Sequence, residues 1–436
     1  MSQVPQEEYD VCVVGGGPAG ATVALRLSRL GKRVILFEKA AFPRPHVGES
    51  LPARIVSLLE AQGLHAGALA SGYVASRKST VAWAGQTTRF EVQGGASLLV
   101  DRAELDLALL SAAERSPGVT VRQNARVVRL TRAGDMWEAR LNTGPAARAR
   151  FVVEATGRAR LLPRDRTALG ASTLAMYAYF RGAQTSEDAD TFVESGQDAW
   201  YWGAPLPRGL FNATVFVDPG RAESYDTLLR RSALLSPVLA HAQRERGPYV
   251  CDATPYLDRR AVSPFALKVG DAALSLDPLS SHGVYTAMGT ALHAAVVLNT
   301  MLDRPHDTEM AAAFYERQAA VTGSELWQRR AALFTAKPVR SALLPEARVM
   351  LSPKLQFAPV PIVTEAYVAR HAGVLLGGEP YAFTDGGLDV AQLLGVLDAP
   401  RLAKEVVRAW ARQMPAERAL RVLQWAWAEG LLEAAP

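Results

Sequence analysis

Cysteine is scarce in this chain: Cys12 and Cys251 are the two thiols among 436 residues. Far apart and without a second pair, they exclude a disulfide framework and a thiolate metal site, and they fit a reducing compartment. No apolar run approaches the roughly eighteen residues of a membrane helix. The opening MSQVPQEEYD is polar and acidic, unlike a signal peptide. No basic run is interleaved with aromatics either; the net charge of +5 is spread over scattered arginines, so a nucleic-acid partner is not indicated. Internal repeats are lacking as well. These absences predict a cytoplasmic protein with no membrane segment, no metal and no nucleic-acid partner. What is present is a globular composition, 49% hydrophobic and 21% charged, in a chain long enough for two or three domains.

The rest is arranged around DVCVVGGGPAGATVALRLSRLGKRVILFE, Asp10 to Glu38. Val11 to Val14 is a short β-branched run suited to a parallel strand buried on both faces. Gly15, Gly17 and Gly20 follow at the spacing of a dinucleotide loop, with Pro18 and Ala19 between them. The first glycine allows the tight turn, the second admits a pyrophosphate, and the third lets the next helix pack on the strand. That helix stops at Gly31, and a second strand, Arg33 to Phe37, ends in Glu38, an acid placed for a ribose hydroxyl pair. These residues do not decide between FAD and NAD.

Further on, Gly48 to Leu51 leads into a helix carrying Ile55, Leu58 and Leu59. Short strands are expected at Thr80–Trp83, Thr88–Val92 and Ser97–Val100. Asp101 is placed to cap a helix whose apolar stripe is Leu105, Ala108, Leu109 and Ala112. More strands follow, the last running into Glu154-Ala155-Thr156-Gly157. Residues 170–260 predict a sheet insertion (Thr173–Phe180, Ala199–Trp202, Phe211–Val217) with a helical stretch from Ala222 to Gln243. A buried strand, Ala266–Val269, precedes Gly270-Asp271 and a helix from Gly283. A long helix, Thr308 to Thr335, is next. Residues 338–375 are punctuated by proline. The end reads as three short helices, Asp389–Leu397, Pro400–Gln413 and Ala416–Glu429, with Pro400 at a first helical position.

Four of these motifs, in order and spacing, resemble the FAD-dependent monooxygenases of the p-hydroxybenzoate hydroxylase type. They are the glycine loop ending at Glu38, Asp101-Arg102…Asp106, Glu154-Ala155-Thr156-Gly157, and Gly270-Asp271…Asp277-Pro278…Gly283. Within that group the chain is similar to the flavin-dependent, tryptophan-halogenase-like branch. Trp200-Tyr201-Trp202-Gly203-Ala204-Pro205 resembles the W-x-W-x-I-P signature of halogenases, with Ala204 in place of Ile. It also resembles a segment of geranylgeranyl reductases, with Leu206 where those carry Lys.

The resemblance implies an α/β fold: a Rossmann-type FAD-binding domain (residues 1–80, 101–170 and 260–340), an inserted β-sheet substrate domain (81–100 and 171–259) and a small helical C-terminal domain (375–436). It implies FAD held by Gly15, Gly17, Pro18, Ala19, Gly20, Glu38, Lys39, Arg102, Gly157, Gly270, Asp271, Pro278, Ser281, His282 and Gly283. A strap, Gly48-Glu49-Ser50, would lie on the isoalloxazine ring. Trp202, His282 and Pro278 would stand nearest the chemistry, with His282 as acid, base or hydrogen-bond donor.

Departures from the family matter too. The active-site lysine of halogenases aligns with Ala75, while Arg77 and Lys78 are offset, and Ser280 stands where tryptophan halogenases carry Glu. Single-component hydroxylases carry D-G where this chain has Thr156-Gly157. The expected activity is therefore hydroxylation of an aromatic ring through a flavin C4a-hydroperoxide, with a separate flavin reductase as electron donor. The substrate expected is a tryptophan in a peptide or protein, as in the monooxygenases of tryptophylquinone biogenesis. A halogenase or hydroxylase of a small or carrier-bound aromatic, and an isoprenoid-lipid reductase, are the alternatives.

Overall fold

The computed structural model describes residues 8–65, 72–92, 95–185, 191–221, 223–334, 343–384 and 387–435, with side chains left undescribed at 323–334. They divide into two units, Met1–Arg330 and Ala331–Pro436.

In the first unit the run Val11–Val14 lies inside the strand Glu8–Val14, all four residues buried. It pairs in parallel with Val34–Phe37 on one side and Ala147–Glu154 on the other. Val119–Arg122 and Ala266–Lys268 extend the parallel core, and the hairpin Val127–Ala133/Met136–Leu141 adds antiparallel strands. The helix Pro18–Arg29 packs against both Arg102–Glu114 and Gly283–Asp303. The central strands are almost wholly apolar, as expected of a sheet covered on both faces, with Glu154 and Lys268 the buried charges at their ends.

The insertion forms a seven-stranded sheet in the order Gln243–Asp252, Leu174–Arg181, Leu210–Val217, Ala199–Leu206, Thr191–Ser195, Lys78–Trp83, Gln86–Glu91. Two of its strands, Gln243–Asp252 and Thr191–Ser195, were not anticipated. Gln243–Asp252 is a largely exposed edge strand whose QRERG start has no apolar alternation to read. Instead of one helical stretch from Ala222 to Gln243 there are two short helices, Tyr225–Leu229 and Leu235–Val238, the second holding Pro237. Ser97–Val100, expected in this sheet, pairs instead with Ser50–Leu51 and Tyr73–Ser76 in a small sheet of its own.

The second unit is larger and more mixed than a helical appendix starting at residue 375. The hairpin Leu355–Val363/Val368–Leu376 is joined by Glu379–Tyr381. Pro359 and Pro361 sit at alternate positions of the outer strand, where the missing N–H groups face away from the ladder. That tolerance is why a proline-punctuated run can still be a strand. Three helices follow, Val390–Leu394, Ala403–Trp410 and Ala416–Ala428, the first capped by Asp389. Pro400 is not at a helix start, because Arg401–Leu402 first pair with Arg348–Val349. Trp410 anchors this unit's core and donates its indole N–H to the Leu393 carbonyl at 2.9 Å. The expected end of the long helix, Thr335, lies outside the described residues, which follow it to Phe334. No described helix is long and apolar enough to cross a membrane, and no described His/Cys/Asp/Glu group could hold a metal.

Candidate active site

The glycine loop is built by close approach. Gly15 has φ 111°, and a Cβ there would fall 2.2 Å from the Ala155 carbonyl oxygen. On Gly20 a Cβ would overlap the Gly15 oxygen at 1.8 Å. The helix Pro18–Arg29 starts after Gly17 with proline at its first turn and no side-chain cap, so its leading N–H groups face the loop mouth. Glu38 is buried and already accepts from Gly16 N (2.7 Å) and Ala40 N (2.9 Å). A carboxylate has about four lone-pair sites, so this engagement orients it without exhausting it. Lys39 is exposed beside it.

Arg44 stands over this mouth, and the sequence reading did not single it out. Its guanidinium lies 4.0 Å from Glu38 and 3.7 Å from Asp106, above the Phe42 ring. A Cβ on Gly17 would come 3.5 Å from its Nη2. The signal was there in a lone cation between Pro43 and Pro45, on a segment that proline keeps extended.

Arg102, expected to touch the cofactor, ties the strap to Asp106. It is buried, and it forks onto Asp106 through Nε (3.0 Å) and Nη2 (3.3 Å). Nη1 donates to the carbonyls of Val47 (2.8 Å) and Gly48 (3.2 Å). Burial opposes its charge, yet the Asp106 carboxylate beside it leaves its pKa raised overall. Glu49 clips the other side of the strap. Its carboxylate accepts from Tyr179 OH (2.5 Å), Asn212 Nδ2 (3.2 Å) and Gly48 N (2.9 Å). Ser50 then opens the short strand against Leu99.

Gly270 (φ 57°) locks the second motif onto the first, since a Cβ there would meet Ala19 Cβ at 2.9 Å and Ala287 Cβ at 3.3 Å. Asp271 follows with 41% of its side chain exposed and Arg158 as the nearest cation at 4.0 Å. Arg158 itself is turned to Asp252 (2.9 Å), the Thr254 carbonyl (2.7 Å) and Ser275 Oγ (2.6 Å). Asp277 caps the turn Pro278–Ser280, Ser281 takes a left-handed φ of 53°, and the half-buried His282 leads into the helix Gly283–Asp303, which has no side-chain cap. The His282 Nδ1 rests on the Ser280 carbonyl, and its ring meets Tyr285 edge-on. In the Glu154–Gly157 turn, Thr156 Oγ1 donates to Glu154 Oε1 at 2.9 Å and Gly157 has φ 64°.

Sheet register decides which side chains share a wall. Trp202 faces Thr214 and Thr214 faces Tyr177; Trp200 faces Phe216; Tyr177 faces Tyr249. Opposed residues share a face, so these aromatics form one wall. Tyr179 and Asn212 are on the same face and reach Glu49, so the wall turns toward the strap. Trp200 stacks on Phe216 at 3.6 Å, while Trp202 packs with Leu99 and Tyr179. The opposite face buries Tyr201, Phe211, Val215 and Tyr225. Val193 pairs with both Trp202 and Val81, so Val81 belongs to the aromatic wall and Lys78, three residues earlier, to the other face. Lys32 pairs with Asp303, and Lys268 is buried on Asp258. The structure thus joins the glycine loop, Gly270 and the strap closely. It sets His282 and Trp202 on different walls, one on the helix Gly283–Asp303 and one on the sheet.

A model of the FAD binding domain matches residues 8–190. Tryptophan 2-halogenase of Chondromyces crocatus is 31% identical over 338 residues, 70% of this chain and 64% of that one. Residues 8–190 are thus an FAD-binding domain, and the chain as a whole is similar to the halogenase-like branch of the FAD-dependent monooxygenases. Its alignment spans just under two thirds of that relative's length. The flavin-dependent halogenase CmlS has the same fold, with a TM-score of 0.82 at 20% identity over 98% of this chain and 96% of that one. QhpG, a peptidyl tryptophan dihydroxylase essential for tryptophylquinone cofactor biogenesis, is 26% identical with a TM-score of 0.70 over 98% of this chain and 100% of that one. FAD is the cofactor of this halogenase-like flavoprotein, and the residues fit it. A Cβ on Gly157 or Gly283 meets nothing within 4 Å, and the Asp271 carboxylate is open to hydroxyl groups.

Proposed function

We propose that this flavoprotein hydroxylates an aromatic ring, the indole of a tryptophan carried by a peptide or protein, with electrons from a separate reductase. The observation that carries the reading is the register that puts Lys78 behind the sheet. Among the described residues of the first unit no lysine then stands on the aromatic wall, and halogenation lacks the amine that handles hypohalous acid. Likeness to QhpG along the whole chain favours a peptide-bound tryptophan over a free one.

FAD, once reduced, supplies the activation of dioxygen: one oxygen atom goes to the ring, the other leaves as water, and the reductase provides two electrons. The chain's residues do the rest. Asp271 would accept hydrogen bonds from the ribityl chain, and the first-turn N–H groups after His282 would face the electron-rich edge of the ring system. The strap, held by Arg102 and Glu49, would close one side against water. Trp202, Tyr177 and Tyr249 would orient the substrate ring by edge and face contacts. The Ser280 carbonyl can only accept, so Nδ1 of His282 is the donor in that contact. Nε2 would take the ring proton as aromaticity returns. Thr156 turns its hydroxyl to Glu154, leaving no acid at the D-G position, which supports the separate reductase.

Halogenation of an aromatic ring is the second reading, favoured by the identity to tryptophan 2-halogenase. The test supplies FAD-loaded protein with a reductase, isotopically heavy dioxygen and tryptophan-containing peptides, with and without bromide. Heavy oxygen on the tryptophan, indifferent to bromide, is expected. A brominated product would sink the hydroxylase reading.

A further inference from the structure

The edge strand Gln243–Asp252 shifts register against Leu174–Arg181 on both sides of Tyr179. Gly247 (φ 93°) shapes this bulge, since a Cβ there would meet the Tyr177 carbonyl oxygen at 2.9 Å. Bulges re-aim side chains beside active sites, and the one re-aimed here is Arg246. Its guanidinium lies over the Tyr179 ring, 4.7 Å from the centroid. No carboxylate pairs with it among the described residues, and its Nε is buried with no acceptor. Arg246 also lines a shallow surface cleft with His46, Glu49, Asp101, Arg102 and Leu206. Both acids of that cleft are engaged: Asp101 accepts from Ala103 N at 2.8 Å, and Glu49 holds the strap. A cation without a partner therefore borders an open cleft.

We propose that this cleft is a carboxylate-binding subsite for the substrate, with Arg246 as its anchor. A guanidinium offers a planar fork of donors that matches a carboxylate through two parallel hydrogen bonds. Tyr179 links the subsite to the reactive wall, because its ring carries Arg246, packs in one cluster with Trp202, and its hydroxyl donates to Glu49 of the strap. The preferred substrate is thus an aromatic ring with an acid close by. The acid is either a neighbouring side chain in a peptide or the carboxylate of a small aromatic acid. This rests on the reading that the Trp202 wall receives an aromatic substrate.

The test titrates FAD-loaded, full-length protein calorimetrically with two pairs of probes. One pair is indole-3-propionate and its neutral amide. The other is two tryptophan pentapeptides that differ by Glu or Gln beside the tryptophan. The acid member of at least one pair should bind about tenfold more tightly, and the preference should weaken with salt. Preference in the peptide pair alone assigns the carboxylate to a side chain; preference in the small-molecule pair alone assigns it to a free acid. Arg246→Gln should abolish the preference with FAD content unchanged. Arg246→Lys keeps the charge over Tyr179 but not the fork, and should lose most of the preference. It decides the matter if the Gln variant does not fold. Equal binding of acid and amide in both pairs, no binding of any probe, or a preference that survives in the folded variants would overturn the subsite. Acid preference without oxygen transfer would instead overturn the proposed function and leave the subsite standing.

Discussion

At the residue scale the central finding is what the buried charges do. Arg102 and Asp106 are both shut off from solvent, and Arg102 spends its donors on Asp106 and on the strap carbonyls. Breaking such a pair by removing one partner strands the other and costs about 3–5 kcal/mol. Arg102→Met should therefore lower the denaturation midpoint sharply and release FAD. Arg102→Lys should keep much of the stability but weaken FAD binding, because a single ammonium cannot hold Asp106 and both strap carbonyls. Denaturant titration and flavin absorbance after dialysis would check both. Equal FAD affinity in wild type and the Lys variant would remove the strap-holding role. Burial pushes the Cys12 thiol up to about 12, so it is an inert member of the first strand, as its place in a β-branched run suggested.

At the element scale, register does what composition cannot. Lys78 and Trp202 are near in the sheet but on opposite faces, because pairing through Val193 fixes the alternation. Lys78→Ala should leave kcat/KM for oxygen transfer within about twofold, the size of ordinary surface changes, and bromide should have no effect in either protein. A large loss of activity would place Lys78 in the reaction after all. In the second unit, Pro359 and Pro361 keep an exposed outer strand from offering a full row of N–H donors. Replacing both with Val should leave the fold intact and promote self-association, visible as earlier elution on size exclusion. An unchanged elution profile would show that the prolines do not protect the edge.

At the scale of the whole molecule, each unit has its own core, with Trp410 central to the second and the parallel sheet central to the first. FAD should then stabilise the first unit selectively. At a hundredfold excess over Kd the gain is about 2.7 kcal/mol, so calorimetry should show one transition moving up with FAD while the other stays. Two transitions rising together would mean that the units unfold as one.

The glycine loop, the capping role of Asp101 and the parallel sheet were legible in the sequence because each leaves its mark in residue type and spacing within a short stretch. Gly15 must be glycine for the approach of Ala155, and Val11–Val14 must be apolar to lie between two strands. The edge strand Gln243–Asp252 and the proline-bearing hairpin were hidden, since exposed strands need no apolar alternation. Those local requirements, written in spacing and residue type, were enough to assign an FAD-binding α/β protein. The tertiary structure alone decided that Arg102 grips the strap, that Arg44 overlooks the glycine loop, that Lys78 is turned away from the aromatic wall and that Arg246 is left unpaired over Tyr179. Each of these is a contact between residues far apart in the chain, and it depends on strand pairing and bulge geometry that no local pattern encodes.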